Sequence, residues 1–126
     1  MLRGLVVGGL VLGVAAVFPE GLVFPFFVMI LGLFCGVLPG VAMARPEESR
    51  PGLEWAAAVL VLGMGMTGLW LSPLYLVAAW LLHGLWGSLH RVTARADTLP
   101  AWYPGFCITF DLVMGGFVIY MWLVAA

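Results

Sequence analysis

Five long apolar runs, separated by proline, glycine and charged residues, determine what this chain can fold into. The runs are residues 2–18, 22–44, 53–71, 73–92 and 104–124. About 20 apolar residues in a helix, rising 1.5 Å each, cross the hydrocarbon core of a bilayer. The sequence therefore predicts an all-α fold, a polytopic integral membrane helical bundle in which five transmembrane helices form one domain.

The third and fourth runs are predicted to be two helices rather than one. A single helix of about 40 residues would be about 60 Å long, twice the hydrocarbon thickness. Ser72 and Pro73 interrupt the run, and proline is favoured in the first turn of a helix. We therefore expect a tight hairpin at Leu71-Ser72-Pro73.

The composition excludes two classes of protein. Hydrophobic residues make up 64% of the chain and charged residues 9%, without any Lys, Asn or Gln, whereas soluble domains have about 25% charged residues. A soluble monomer is therefore excluded. The net charge of −1 and five scattered arginines give no basic surface for a nucleic acid. Cys35 and Cys107 lie in apolar runs and are predicted to be unpaired thiols.

The arginines predict the orientation. With five spans, one side of the membrane carries all of them, namely Arg3, Arg45, Arg50, Arg91 and Arg95. Arginine in short loops marks the cytoplasmic side, so we expect a cytoplasmic N-terminus and an external C-terminus. The first run also resembles a secretory signal, but no convincing small-x-small cleavage site precedes Pro19, and we expect it to be a span.

Glycines at four-residue spacing indicate where helices pack closely. The first run has two such pairs, Gly4 with Gly8 and Gly9 with Gly13. The second run has the triplet Gly32, Gly36 and Gly40, and the third has Gly65 close to Gly68. They serve either contacts within one chain or a homo-oligomer. With five helices to pack, contacts within the chain are favoured.

Four ionisable side chains lie in or at the edge of spans, where each costs about 2.5–3.5 kcal/mol on insertion scales. They are His83, His90, Asp111 and Glu54. Asp111 is seven residues from the start of the fifth run and His83 nine from the end of the fourth, or about 10 Å and 13 Å. We expect the two to meet in the inner leaflet, with His90 and Glu54 near the cytoplasmic mouth.

Helical spacing groups these residues further. His83 and His90 differ by seven positions, about 20° around a helix, and share one face. Cys107, Asp111 and Met114 share a face of the fifth run likewise. Together the two faces predict one cavity that bears imidazoles, a carboxylate and a thiol and opens toward the cytoplasm.

Three chemistries fit this set of residues. A divalent metal held by His83, His90 and Asp111 or Glu54 is the first, but seven residues span about 10 Å of helix, too far for two ligands of one ion. The second is acid/base chemistry or ligand binding by Asp111 with His83. The third is a His–Asp hydrogen bond that only holds two helices together.

Two short motifs lie in the last third of the chain. Residues 83–91 read HGLWGSLHR and residues 102–111 read WYPGFCITFD. They resemble the pattern His-x2-Trp-Asp-x2-His-His, then Trp-Tyr-Pro-x2-Cys-x3-Asp, of a family of small uncharacterised bacterial integral membrane proteins. The second motif matches fully, while the first departs at Gly87, where the family has Asp, and at Arg91, where it has His.

The resemblance implies a bacterial inner-membrane location and one site made of five residues: His83, Trp86, His90, Cys107 and Asp111. The two departures replace potential ligands and so argue against a metal. We predict that His83 and Asp111 are the acid/base pair and that Trp86, His90, Cys107 and Glu54 contact a membrane lipid or lipophilic small molecule. The alternatives are an accessory or assembly subunit whose polar contacts are structural, and a proton or metal-ion carrier.

Overall fold

The chain folds into helices joined by short connections. A computed structural model describes residues 1–47, 50–93 and 99–125, without the side chains of residues 90–93. All regular secondary structure in these ranges is helical. The helices are α1 (Leu2–Ala15), α2 (Glu20–Cys35), α3 (Val37–Ala44), α4 (Pro51–Thr67), α5 (Pro73–Thr93) and α6 (Tyr103–Ala125). The predicted all-α helical bundle is confirmed.

The second apolar run contains an irregularity at Gly36, which separates α2 from α3. Pro39 lacks an N–H group, so the carbonyl of Cys35 has no donor four residues further on. The N–H of Gly36 still donates to the Gly32 carbonyl at 3.2 Å, and that of Gly40 to the Gly36 carbonyl at 3.0 Å. The two segments consequently continue each other as one apolar helix of 25 residues, Glu20–Ala44.

The predicted hairpin between the third and fourth runs is present. Helix α4 ends at Thr67 and α5 begins at Pro73. The connection is tight because Gly68 lies against the next helix, where a Cβ would stand 2.8 Å from the backbone nitrogen of Leu76. Any larger residue at position 68 would push the two helices apart.

Helix α6 packs between α1 and α5, while α4 packs on the other side of α5 and contacts α2 and α3. Gly4 of α1 faces Phe106 of α6, and Gly8 faces Val113, which lies further along α6. These two helices therefore run parallel. Gly84 and Gly87 of α5 face Asp111 and Cys107 in reverse order. Helices α5 and α6 are therefore antiparallel.

One end of the bundle gathers the starts of α1 and α6 and the connection between α3 and α4. The Arg3 guanidinium lies over the Trp102 ring, 4.9 Å from its centre, which brings the starts of α1 and α6 together. The Trp55 indole N–H donates to the Met43 sulfur at 3.4 Å, which joins the end of α3 to the start of α4. Parallel and antiparallel packing place the end of α5 at this end as well.

Large apolar side chains cover the outside of the bundle as well as its core. Trp80, Phe27, Leu31 and Phe110 are fully buried, yet apolar residues on every helix are exposed, for example Val59 at 66%. Among the described residues, two helices are long and apolar enough to cross a membrane, Glu20–Ala44 and Tyr103–Ala125; the other apolar stretches, Leu2–Ala15, Pro51–Thr67 and Pro73–Leu89, are shorter.

The glycines divide into those that bring helices together and those that face outward. Close contacts within the chain occur at Gly4, Gly8, Gly65 and Gly68, and ordinary contact at Gly32. At Gly9, Gly13 and Gly40 an added Cβ would meet no described atom within 4 Å. The favoured interpretation, packing within one chain, therefore holds for the first set.

Candidate functional site

The buried pair of His83 and Asp111 is the centre of the candidate site. His83 lies midway along α5 and is 4% exposed, and Asp111 lies in the first half of α6 and is 1% exposed. The distance between His83 Nδ1 and Asp111 Oδ2 is 2.9 Å. The contact expected from their depths in the two runs is present.

Gly84 makes this close approach feasible. A Cβ at position 84 would stand 2.7 Å from Asp111 Oδ2, closer than non-bonded atoms allow. Without a side chain, α5 leaves room for the carboxylate against its backbone. Gly84, the residue after His83, therefore leaves room for Asp111, the partner of His83.

Aromatic rings enclose the pair. The rings of Phe34 and Trp80 stand edge-on to the His83 imidazole, with centroids 6.1 Å and 6.4 Å away. Phe110, beside Asp111 in sequence, packs on both of these rings. In such an apolar environment a hydrogen bond is stronger than in water, and an unpaired polar atom is more costly.

The pair is only half satisfied. His83 Nε2 and Asp111 Oδ1 are buried and have no hydrogen-bond partner among the described residues. An unsatisfied buried polar atom costs about 1–3 kcal/mol. His83 Nε2 and Asp111 Oδ1 are therefore available to bind a water molecule or a ligand.

An apolar groove runs between α5 and α6 and reaches Asp111. Its volume is about 240 Å³, and its lining consists of Leu81, Gly84, Leu85, Ser88, Ile108, Asp111 and Leu112. The Ser88 hydroxyl donates to the Gly84 carbonyl at 2.7 Å and so is occupied within its own helix. Asp111 is the one ionisable residue in this lining.

A small cavity lies on the opposite side of α5, toward α2, α3 and α4. Its volume is about 10 Å³, and four of its lining side chains carry polar or sulfur atoms: Cys35, Glu54, His83 and Trp86. A volume of roughly 10–15 Å³ holds a single water molecule. The cavity is therefore too small for an organic ligand.

Glu54 is a second buried acid and faces this cavity. It is 4% exposed, and the Trp86 indole N–H donates to its Oε2 at 2.8 Å. The bond joins the first turn of α4 to α5, because Glu54 is three residues from the start of its helix. Trp86 thus fixes the position of a carboxylate close to the cavity wall.

The predicted cavity with imidazoles, a carboxylate and a thiol corresponds to two separate spaces among the described residues. Asp111 lines the groove on the α6 side, whereas Glu54 and Trp86 line the cavity on the α4 side, because α5 lies between α4 and α6. Cys107 lines neither space; it is buried, with its Cβ 3.8 Å from the place a Gly87 Cβ would occupy. His90 was predicted to share this site, but its side chain lies outside the described residues.

Metal ligands are sparse in the described part of the bundle. No group of three or more His, Cys, Asp or Glu residues there is arranged to hold a metal ion. The His83–Asp111 pair contributes two groups, and Glu54 lies on the far side of α5. The described residues thus give no built metal site.

Sequence reasoning missed two contributors to the site. Cys35 and Phe34 of α2 lie beside His83, and no local pattern predicts which distant helix covers a given face. The role of Gly84 was also missed, although a glycine adjacent to a histidine in an apolar run is the signal that would have suggested it.

Comparison of the chain with protein-family models, curated proteins and solved structures finds no match. The site must therefore be interpreted from its own geometry.

Proposed function

We propose that this chain is a five-span protein of the bacterial inner membrane that binds or transforms a lipophilic small molecule or membrane lipid. The molecule lies in the groove between α5 and α6, and its polar end meets Asp111. His83 and Asp111 act together as an acid/base pair. The N-terminus is cytoplasmic and the C-terminus external.

The packing directions support five spans. Helix α5 is antiparallel to both α4 and α6, whereas α1 and α6 are parallel, as a chain with an odd number of spans requires of its first and last helices. Arg3, Arg45 and Arg50 then fall at one end of the bundle, as the positive-inside rule requires. The apolar exterior suits lipid contact.

The free acceptor of Asp111 supports a ligand in the groove, and it is the observation that carries the proposal. A pair that served only to hold helices would gain by having all its polar atoms satisfied. Asp111 instead keeps Oδ1 without a partner among the described residues and lines an apolar groove. A lipophilic molecule with a hydroxyl or another donor at one end matches this arrangement.

The chemistry follows from the pair. Nδ1 lies 2.9 Å from Asp111 Oδ2, so in the Nδ1–H tautomer the neutral imidazole donates to the carboxylate, holds it in place and keeps Nε2 as an acceptor. A ligand hydroxyl that bonds to Oδ1 would lie next to a base that can take its proton. The apolar groove keeps bulk water away from that proton.

Photo-crosslinking with a defined probe tests this proposal. A diazirine-bearing hexadecanol is expected to label peptides containing Leu85 or Ile108, with unlabelled hexadecanol competing and hexadecane not. Asp111→Asn keeps the bond from His83 but puts an NH₂ group where Oδ1 stands, so labelling should fall about ten-fold, the equivalent of one hydrogen bond. Its unfolding free energy should stay close to that of the wild type, because the interhelical bond, worth about 0.6–1.7 kcal/mol, is kept.

Glu20→Gln is the matched control, since it makes the same acid-to-amide change at an exposed residue. Unchanged labelling in Asp111→Asn, or equal competition by hexadecane, would contradict ligand binding at Asp111. Co-purification of the chain with a larger membrane complex, together with unchanged labelling, would instead favour the accessory-subunit alternative.

Cysteine labelling tests the five spans. In intact cells a membrane-impermeant maleimide should reach Ser72→Cys, in the α4–α5 hairpin, and Glu20→Cys. Arg50→Cys should react only after the membrane is permeabilised. Labelling of Arg50→Cys in intact cells would overturn the proposed orientation.

A further inference from the structure

The two buried acids lie on opposite sides of α5, and His83 lies between them. The imidazole meets Asp111 of α6 through Nδ1. Its other nitrogen, Nε2, is on the far side of the ring, and His83 also lines the cavity that contains Glu54 of α4. The ring thus contacts one acid directly and shares a cavity with the other.

We propose that the cavity between α4 and α5 binds one water molecule, and that this water and His83 form a path for protons between Glu54 and Asp111. The volume of about 10 Å³ suits a single water. A buried water needs two to four polar partners. The cavity lining includes the Glu54 carboxylate and His83, whose Nε2 is buried without a hydrogen-bond partner among the described residues.

Trp86 positions the acid for this contact. Its N–H donates to Glu54 Oε2 at 2.8 Å, which holds the carboxylate at the cavity. A carboxylate has about four lone-pair positions, so this bond leaves capacity for water whatever else Glu54 contacts. Cys35, the other titratable residue in the cavity lining, comes from the α2 side.

The proton transfer is balanced without any further reactant. Protonated Glu54 gives its proton to the water, and the water gives a proton to His83 Nε2. The imidazole releases the Nδ1 proton to the Asp111 carboxylate at the same time. The result is ionised Glu54, a neutral imidazole with its proton on Nε2, and protonated Asp111, and the reverse sequence restores the starting state.

This inference rests on the proposed function for its purpose, because a proton delivered to Asp111 is what acid/base work in the groove requires. Its structural content is independent of any ligand. The path gives the site access to protons from the α4 side, while the groove on the α6 side is lined mainly by apolar side chains.

Exchange of the Nδ1 proton tests the path in ligand-free protein. The full chain, labelled with ¹⁵N-histidine and placed in dimyristoylphosphatidylcholine vesicles, is transferred to D₂O and followed by NMR. The two histidines are assigned with His90→Gln. Loss of the path should slow exchange at Nδ1 by at least about ten-fold, the effect of raising the barrier by one hydrogen bond.

Two variants should produce this slowing by different means. Glu54→Gln removes the exchangeable acid, and Ala58→Val fills the cavity that Ala58 lines while leaving both acids in place. Glu20→Gln, the matched control, should exchange like the wild type. The wild type should also show transfer of magnetisation from water to Nε2.

Exchange that is equally fast in the wild type, Glu54→Gln and Ala58→Val, or a wild-type Nε2 without contact to water, would overturn the proposal. If Glu54→Gln fails to fold, Ala58→Val alone decides. Failure here leaves hexadecanol labelling at Asp111 intact, whereas failure of ligand binding leaves the exchange result intact, so the two proposals fall separately.

Discussion

Helix α6 meets glycines on two sides, and the two contacts differ in what fills the space. On the α1 side, a Cβ at Gly4 would stand 2.8 Å from the Phe106 carbonyl oxygen and from Thr109 Cβ. On the α5 side, a Cβ at Gly84 would stand 2.7 Å from Asp111 Oδ2. Gly4 thus leaves room for backbone and apolar atoms of α6, whereas Gly84 leaves room for a carboxylate.

This difference separates packing from site formation. The Thr109 hydroxyl on the α1 side donates to the Gly105 carbonyl at 2.8 Å, so its polar group is satisfied within α6. On the α5 side, Asp111 Oδ2 lies within hydrogen-bond distance of His83, and Asp111 Oδ1 has no partner among the described residues. A glycine contact becomes a candidate site when the group it admits is polar and incompletely paired.

The largest effect is expected for Gly84→Ala. The new methyl group displaces the Asp111 carboxylate and breaks its bond to His83, so overpacking and unsatisfied polar groups add. Together they should lower the unfolding free energy by about 2–5 kcal/mol, measured by titration from mild detergent into SDS. Hexadecanol labelling should be lost as well. A Gly84→Ala variant with wild-type stability and labelling would show that α5 and Asp111 are not in tight contact.

Gly4→Ala should destabilise the bundle without affecting the site. Its methyl group meets the backbone of Phe106, which cannot rotate away, and overpacking of this kind costs about 1–3 kcal/mol. The same titration should report that loss, while hexadecanol labelling per folded molecule stays unchanged. Equal loss of labelling in Gly4→Ala and Gly84→Ala would remove the distinction between the two sides of α6.

An intermediate effect is expected at Gly8. There the added Cβ would stand 3.0 Å from a methyl group of Val113, and a side chain can adjust where a backbone cannot. The loss of unfolding free energy should be under about 1.5 kcal/mol, and Gly8→Ala combined with Val113→Ala should recover most of it. Absence of recovery in this double variant would argue against direct contact of these two positions.

Gly87→Ala should have the smallest effect and serves as the control within α5. Its Cβ would meet Cys107 Cβ at 3.8 Å, an ordinary van der Waals distance. Its unfolding free energy should remain within about 0.5 kcal/mol of that of the wild type. Its hexadecanol labelling should be unchanged. A large loss here would show that α5 as a whole, and not position 84, tolerates no added side chain.

The meeting of His83 with Asp111 could be predicted because it depends on few quantities. A helix rises by a constant amount per residue, two consecutive helices joined by a short connection run antiparallel, and their polar residues lie at countable distances from the shared end. The same arithmetic could not assign Glu54. Its depth suggested the cytoplasmic mouth, but which side of α5 it occupies depends on how α4 packs.

The sequence by itself determined the helical class, the break at Ser72-Pro73, and the pairing of the two most deeply placed polar residues. These follow from apolar run length and helical rise, which are local properties. The covering of His83 by α2 and the division of the polar residues between a groove and a cavity were decided by tertiary structure. They depend on contacts between residues far apart in the chain. Gly84 has no Cβ and so allows the Asp111 carboxylate to approach α5, and α5 itself separates Asp111 from Glu54.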